Sequence, residues 1–245
     1  MKRLKRKKLK HTTWVIIPAR GGSKGLKNKN IKNFLGIPLI YHSINFAKKL
    51  KNIDKIFVST DSKKIRKIAQ KKNVFIPFLR GKKASGDFAM EEDILEDIKK
   101  KLLIKKINLP DSILWLRPTH PFRDVKVFQK ALKLHQRLKK SVLITTPAEA
   151  RIFIKKSKYL IPINNLFLKK SMVRRQEVKL AYKIFHGEFF IFPKKYNKKF
   201  LGSNLLSMPL PSQCSLDIDT IEDIKNGEAM FSVNSKKIRK YVHLS

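Results

Sequence analysis

The chain reads as an α/β protein with a mainly parallel sheet and helices on both faces, and three observations predict this. Short apolar runs rich in β-branched residues recur at Thr13–Ile17, Ile56–Val58, Ile113–Leu116 and Val142–Thr145. Longer segments with apolar residues at helical spacing separate them. A glycine- and lysine-rich loop follows the first run, where a doubly wound sheet binds its ligands. Strand, helix, strand in this order implies right-handed crossovers.

The first run is a buried strand stopped by Pro18. Pro38–Leu50 has apolar residues at 39, 40, 44, 46, 47 and 50 and reads as a helix. Ile56–Val58 is the next strand. Asp61 is placed to cap a helix through Lys72, with Ile65, Ile68 and Ala69 on one face. Val74–Leu79 reads as a strand and Met90–Leu103 as a helix with Met90, Ile94, Leu95, Ile98 and Leu102 aligned. Ile113–Leu116, Val125–Leu138 and Val142–Thr145 continue as strand, helix and strand. The alternation breaks at Pro147–Ala181, which reads as an inserted arm suited to dimerisation. Phe189–Phe192 returns to strand character, and Thr220 with Asp223 can cap a helix over Thr220–Phe231. The expected organisation is a basic N-terminal tail over 1–12 and a single domain over 13–245, with the arm at about 147–181.

Composition narrows the function classes. The 245 residues are 42% hydrophobic and 9% aromatic, which excludes disorder. The single Cys214 excludes a disulfide scaffold and suits a reducing cytoplasm. No apolar stretch of about 18 residues exists to span a membrane. Met1–His11 lacks the apolar stretch of a signal peptide, so a cytoplasmic location is expected. The net charge of +39 suggests a polyanion partner, but 45 of the 57 cations are Lys and only 12 are Arg. Base and phosphate readout favour Arg forks, so scattered Lys read as solvated faces and no specific nucleic acid is expected. The six His form no zinc spacing. Trp14 and Trp115 sit in strand runs and read as core. Glu91, Glu92, Asp93, Glu96 and Asp97 read as a solvated acidic stretch opposing a helix dipole.

The loop Pro18–Asn30 carries the first chemistry. Gly21, Gly22 and Gly25 let backbone amides turn toward an anion. Arg20, Lys24 and Lys29 supply charge, and Ser23 and Asn30 supply neutral donors. The pattern is neither the dinucleotide fingerprint nor a Walker A loop. On residue types alone it fits a triphosphate cradle or an ordinary glycine-rich turn. Asp217 and Asp219 are spaced i, i+2, so on an extended segment both carboxylates point one way. That suits Mg²⁺, or a solvated turn before a helix.

The wording of these segments resembles the acylneuraminate cytidylyltransferase family, the CMP-sialic acid synthetases with their legionaminic and pseudaminic acid relatives. Ile17-Pro18-Ala19-Arg20-Gly21-Gly22-Ser23-Lys24-Gly25 followed by Lys29-Asn30-Ile31 is similar to its opening motif. Val58-Ser59-Thr60-Asp61, Pro77-Phe78-Leu79-Arg80 with Asp87, Leu116-Arg117-Pro118-Thr119-His120-Pro121-Phe122-Arg123, Arg175-Gln176 with Tyr182, and Asp217-Ile218-Asp219-Thr220 with Asp223 follow in the family's order. The matches run from about Trp14 to Asp223.

The resemblance implies a Rossmann-like nucleotide-diphospho-sugar transferase fold and a homodimer. It implies transfer of CMP from CTP to a nonulosonic acid, a nine-carbon 2-keto sugar acid, with Mg²⁺ and release of pyrophosphate. Arg20, Lys29, Asp217 and Asp219 would be catalytic, the two Asp also holding the metal. Ala19, Arg20, Gly21, Gly22, Ser23, Lys24, Lys29, Asn30, Arg80 and Asp87 would bind the nucleotide. Arg117, Thr119, His120, Arg123, Gln176 and Tyr182 would bind the sugar. Departures gather at the sugar end: Arg117 replaces the family's Gln, Lys27 and Lys179 stand at expected Pro positions, and Lys183–Glu188 is altered. Gly187-Glu188-Phe189-Phe190 is closer to the pseudaminate branch, Ser23-Lys24-Gly25 to the sialate and legionaminate branch. The alternatives are a 3-deoxy-octulosonate cytidylyltransferase, whose loop normally reads Ser-x-Arg-Leu-Pro-Gly-Lys, and a non-catalytic polyanion- or CTP-binding protein.

Overall fold

The computed structural model describes residues 11–23, 25–149, 151–164, 166–169, 173, 174, 177, 181–193 and 204–245. Most of the expected basic tail lies outside them. His11 and Thr12 already pair with the body: His11 meets the Ser112 hydroxyl at 2.7 Å, and the Thr12 amide donates to Asp111 at 2.9 Å.

The strands are β1 (Thr13–Pro18), β2 (Asn33–Phe34), β3 (Ile37–Pro38), β4 (Lys55–Ser59), β5 (Ser112–Leu116), β6 (Ser141–Ala148), β7 (Phe153–Lys156), β8 (Tyr159–Pro162), β9 (Ala181–Ile191) and β10 (Leu205–Pro209). The helices are α1 (Leu39–Lys49), α2 (Lys63–Gln70), α3 (Glu91–Ile104), α4 (Val125–Leu138), α5 (Leu166–Lys169), α6 (Ile221–Val233) and α7 (Ser235–Ile238). A six-stranded sheet has the order β10-β6-β9-β5-β1-β4. β1 pairs in parallel with β4 and β5, and β6 in parallel with β10. β9 lies antiparallel between β5 and β6. The expected α/β architecture is therefore present.

Alternation along β1 and β5 splits the core in two. Val15, Ile17, Leu114 and Leu116 face Leu39, Ile40, Ile44 and Phe46 of α1 and Phe128, Ala131 and Leu132 of α4. Trp14, Ile16, Ile113 and Trp115 face Ile94, Leu95, Ile98 and Leu102 of α3. Both Trp are core, as expected. Covering a parallel sheet on both faces makes its central strands continuously apolar.

Local capping sets the helix starts. Asp124 accepts the Lys126 and Val127 amides at 2.7 and 3.2 Å, fixing α4 where its period predicts. Thr220 and Asp223 form the expected reciprocal box at α6. At α2 the cap is Ser62, which accepts the Ile65 amide, and not Asp61. The Asp61 carboxylate instead accepts the Gly21 amide at 2.8 Å, a tertiary bond that outcompetes the local one. Val74–Leu79 is not a strand: only Phe75 bridges to Phe57. Pro77 lacks the amide a ladder needs.

The return strand β9 is far longer than Phe189–Phe192, and the exposed edge strand β10 carried no clear pattern in the sequence. Within 147–181 the described residues form a β7–β8 hairpin with Ser157 at a positive φ of 55°. Ile154, Tyr159, Leu160 and Ile161 of this hairpin are exposed.

Candidate active site

A cleft of about 590 Å³ opens beyond the carboxyl ends of β1 and β5, lined also by the loop before α3, the start of α3 and the segment before α6. The first loop, residues 18–30, crosses its mouth. Arg20, Ser23, Gly25, Lys29 and Asn30 line the cleft, and so do Arg80, Asp87, Arg117, Thr119, Asp217 and Asp219. Two segments almost 200 residues apart meet here: the Lys29 ammonium lies 2.5 Å from Asp219 Oδ1. Gly25 makes this approach possible, because a Cβ there would sit 3.1 Å from the Asp219 carbonyl oxygen.

The loop works differently from the amide cradle its glycines suggest. The Ala19 amide donates to the Ser59 carbonyl at 2.9 Å and the Gly21 amide to Asp61, so both are committed to the end of β4. Ala19 is wholly buried, and a Cβ on Gly21 would come within 2.9 Å of Ser62 Cβ. Gly22 has open space around it. The cation side chains, rather than these amides, face the cleft. Arg20 donates to the Gly86 carbonyl at 3.3 Å and lies 3.5 Å from Asp87. Asn30 is buried and donates to the Arg20 carbonyl at 3.0 Å, so it positions the loop. Lys24 lies outside the described residues.

Arg80 is buried and oriented by the end of β4. Its Nε donates to Ser59 Oγ at 3.1 Å and its Nη2 to the Ser59 carbonyl at 2.6 Å. Burial pulls its guanidinium down to about 10, against the pull of Asp61 and Asp97, so it stays charged at neutral pH. Asp97 accepts the Gly81 amide at 3.2 Å and pairs with Lys101, so this acid braces the loop after Arg80 and is not a solvated charge.

Asp217 and Asp219 both line the cleft while Ile218 between them is buried, as an i, i+2 pair on an extended segment should be. The Ile218 amide donates to the Thr119 carbonyl at 2.9 Å, tying the pair to the loop after β5. Asp223 accepts the Asp219 and Thr220 amides at 2.9 and 2.8 Å and so fixes the backbone that presents Asp219. Burial acts to raise the Asp223 carboxyl, but the hydrogen bonds from Asp219 and Thr220, with the nearby Lys29 charge, together hold it below its ordinary value. Among the described residues no cluster of three or more metal-ligating side chains forms. A pair of hard carboxylates fits Mg²⁺, which keeps waters and takes phosphate oxygens, and does not fit a structural zinc site.

The sugar-end expectations are corrected in part. Arg117 and Thr119 line the cleft. His120 and Arg123 are completely buried and do not contact it. His120 Nδ1 lies 3.5 Å from Asp217 and 3.2 Å from Thr119 Oγ1, supporting them from behind. Arg123 packs over Phe46 and donates from Nη2 to the Arg117 carbonyl at 2.5 Å. Fully buried over Phe46, Arg123 holds the loop that carries Arg117 and does not line the cleft. Tyr182 of β9 stands opposite Pro147 of β6, is half exposed and does not line the cleft. Gln176 lies outside the described residues. Glu91, expected as a solvated acid opposing the helix dipole, instead turns into the cleft at the start of α3 and pairs with Arg117. Sequence spacing places it on a helix face but carries no sign of a partner so far along the chain.

A family profile described as Cytidylyltransferase matches residues 14–190, most of the chain. The chain belongs to the cytidylyltransferase family. The cytidylyltransferase is 30% identical over 231 residues to the pseudaminic acid cytidylyltransferase of Campylobacter jejuni subsp. jejuni serotype O:2, covering 89% of this chain and 96% of that protein. It is 30% identical over 234 residues to the CMP-N,N'-diacetyllegionaminic acid synthase of Legionella pneumophila, covering 91% and 97%. It is also 30% identical to the N-acylneuraminate cytidylyltransferase of Escherichia coli O18:K1:H7, covering 94% of this chain and 54% of that protein. A solved CMP:2-keto-3-deoxy-manno-octonic acid synthetase in complex with CTP shares the fold, with a TM-score of 0.67 at 14% identity over 91% of this chain. In this cytidylyltransferase Arg20, Lys29 and Arg80 line one cleft.

Proposed function

We propose that this chain joins CMP from CTP to a nine-carbon 2-keto sugar acid of the sialic, legionaminic or pseudaminic type. The carrying observation is a cation-lined cleft at the strand ends in which Lys29 meets one of two paired carboxylates. The named relatives supply the substrate class. In this reading the anomeric hydroxyl oxygen attacks the α-phosphorus of CTP. The bond to the bridging oxygen breaks, and its electrons leave with pyrophosphate. The hydroxyl proton passes to the Asp217–Asp219 carboxylate pair. Arg20 and Lys29 neutralise the triphosphate oxygens, which is most of what phosphoryl-type transfer asks of a protein. Arg80, locked to Ser59, presents a fixed cation to the base end of the nucleotide. Arg117 lines the cleft and is a cation available to the acceptor's carboxylate, whereas Arg123 is buried.

Asp217 and Asp219 would hold Mg²⁺, which supplies charge neutralisation at the phosphates. CTP dependence supports a cytoplasmic location. No helix among the described residues is long and apolar enough to cross a membrane. The exposed β7–β8 apolar surface supports a homodimer formed through the arm.

Pyrophosphate release tests the reading, with CTP, Mg²⁺ and a panel of sialic, legionaminic, pseudaminic and 3-deoxy-octulosonic acids. Release is expected with one of the nine-carbon acids. Release with the eight-carbon acid alone, or with none, would contradict it.

A further inference from the structure

The acidic run at the start of α3 divides its work unevenly. The Asp93 carboxylate accepts the Met90 amide at 3.0 Å and supplies the helix cap. Glu96 pairs along the helix with Lys99 and Lys100, and Asp97 with Lys101 and the Gly81 amide. Glu91 does none of this. Its side chain crosses to the far wall of the cleft and forms an ion pair with Arg117. Both residues line the cleft, and each keeps part of its side chain accessible, 36% for Arg117 and 20% for Glu91.

Arg117 is held from its backbone as well. Its carbonyl accepts from the buried Arg123, so the guanidinium projects from a fixed point. Burial lowers its affinity for the proton, and the carboxylates of Glu188, Asp217 and Asp219 act against that. An Arg fork satisfied by one carboxylate must give up that partner, in whole or in part, before a second carboxylate can bind to it in two-pronged fashion.

We propose that Glu91 is a positioning and specificity-determining residue: it occupies the Arg117 fork that the acceptor's carboxylate takes, so that an acid binds only by displacing it. The inference rests on the reaction proposed above and deepens it at the acceptor end. Displacement costs affinity for every acceptor acid, whereas an uncharged ligand, which does not take the fork, neither displaces Glu91 nor gains from its removal. CTP, bound at Arg20, Lys29 and Arg80, does not depend on it.

Steady-state kinetics on wild type, Glu91→Gln, Arg117→Gln and the double variant test this, with the best acid of the panel. Binding of that acid and of its uncharged methyl ester is measured alongside. Glu91→Gln is expected to lower the acid's KM about 5- to 10-fold with the KM for CTP unchanged, and to leave ester binding unmoved. Arg117→Gln is expected to raise the acid's KM about 10-fold or more, and Glu91→Gln to have no further effect in that background. An unchanged or raised acid KM in Glu91→Gln, or equal shifts for acid and ester, would overturn the inference. Wild-type turnover with an unmoved acid KM in the variant would overturn this inference alone. Absence of wild-type turnover with every acid would overturn the proposed reaction and this inference with it.

Discussion

At the scale of single residues, chemistry and support separate cleanly in this cleft. Asp219 is 65% exposed and packs against little, yet it meets Lys29 and shares the cleft with Asp217. Asp219→Asn is therefore expected to lower kcat at least about 100-fold while moving the unfolding free energy by less than about 0.5 kcal/mol. Kinetics and urea unfolding on the same preparation check both halves. His120 and Arg123 act on the other side of the wall, behind Asp217 and Arg117. The motif that contains them was legible in the sequence as a unit, but burial is a tertiary property. Nothing in Thr119-His120-Pro121-Phe122-Arg123 distinguishes a side chain facing the cleft from one drawn under Phe46. The cleft role of Glu91 is hidden for the complementary reason, since a helix-start carboxylate has an adequate local explanation in the dipole.

At the scale of elements, what was legible is what local chemistry decides alone. The period and Asp124 cap of α4 and the Thr220–Asp223 box of α6 appear where predicted. The start of α2 moved because Asp61 found the Gly21 amide, and β9 outgrew its apolar run because strand length is set by neighbours. Gly187 illustrates the second case. It pairs with Leu116, and a Cβ would lie 2.8 Å from the Phe128 ring. Gly187→Ala is expected to cost about 1–3 kcal/mol by overpacking, read as a lowered denaturation midpoint. The C-terminal segment supplies a pH-dependent contact. His243 donates from Nε2 to the Arg123 carbonyl at 2.9 Å, and His42 from Nε2 to the Phe34 carbonyl at 2.9 Å. Burial drives both imidazoles down to about 4. The unfolded chain thus binds more protons between about pH 6.5 and 4, so stability is full above 6.5 and falls as pH drops through that window. Each histidine contributes on the order of 3 kcal/mol at most. The Asp223 contribution is lost only below the ordinary carboxylate range, so a midpoint already falling between pH 6.5 and 5 identifies the histidines.

At the scale of the whole molecule, the net charge of +39 says little about the site. A handful of cations line the cleft, and the rest, mostly Lys, contribute solubility and long-range attraction for anionic substrates at low salt. The exposed apolar hairpin says more. On the proposed homodimer, the unaltered chain is expected to scatter light as a dimer and the Leu160→Asp, Ile161→Asp variant as a monomer; a dimer in both would remove the arm from the interface. Bond formation between CMP and the sugar is read by incubating the protein with CTP, Mg²⁺ and each nine-carbon keto-sugar acid and weighing the product by mass spectrometry. The proposed reaction requires one new CMP-sugar, formed in step with pyrophosphate release and lost in Asp219→Asn. CTP left unconsumed, or hydrolysed to CMP with no sugar attached, would contradict it.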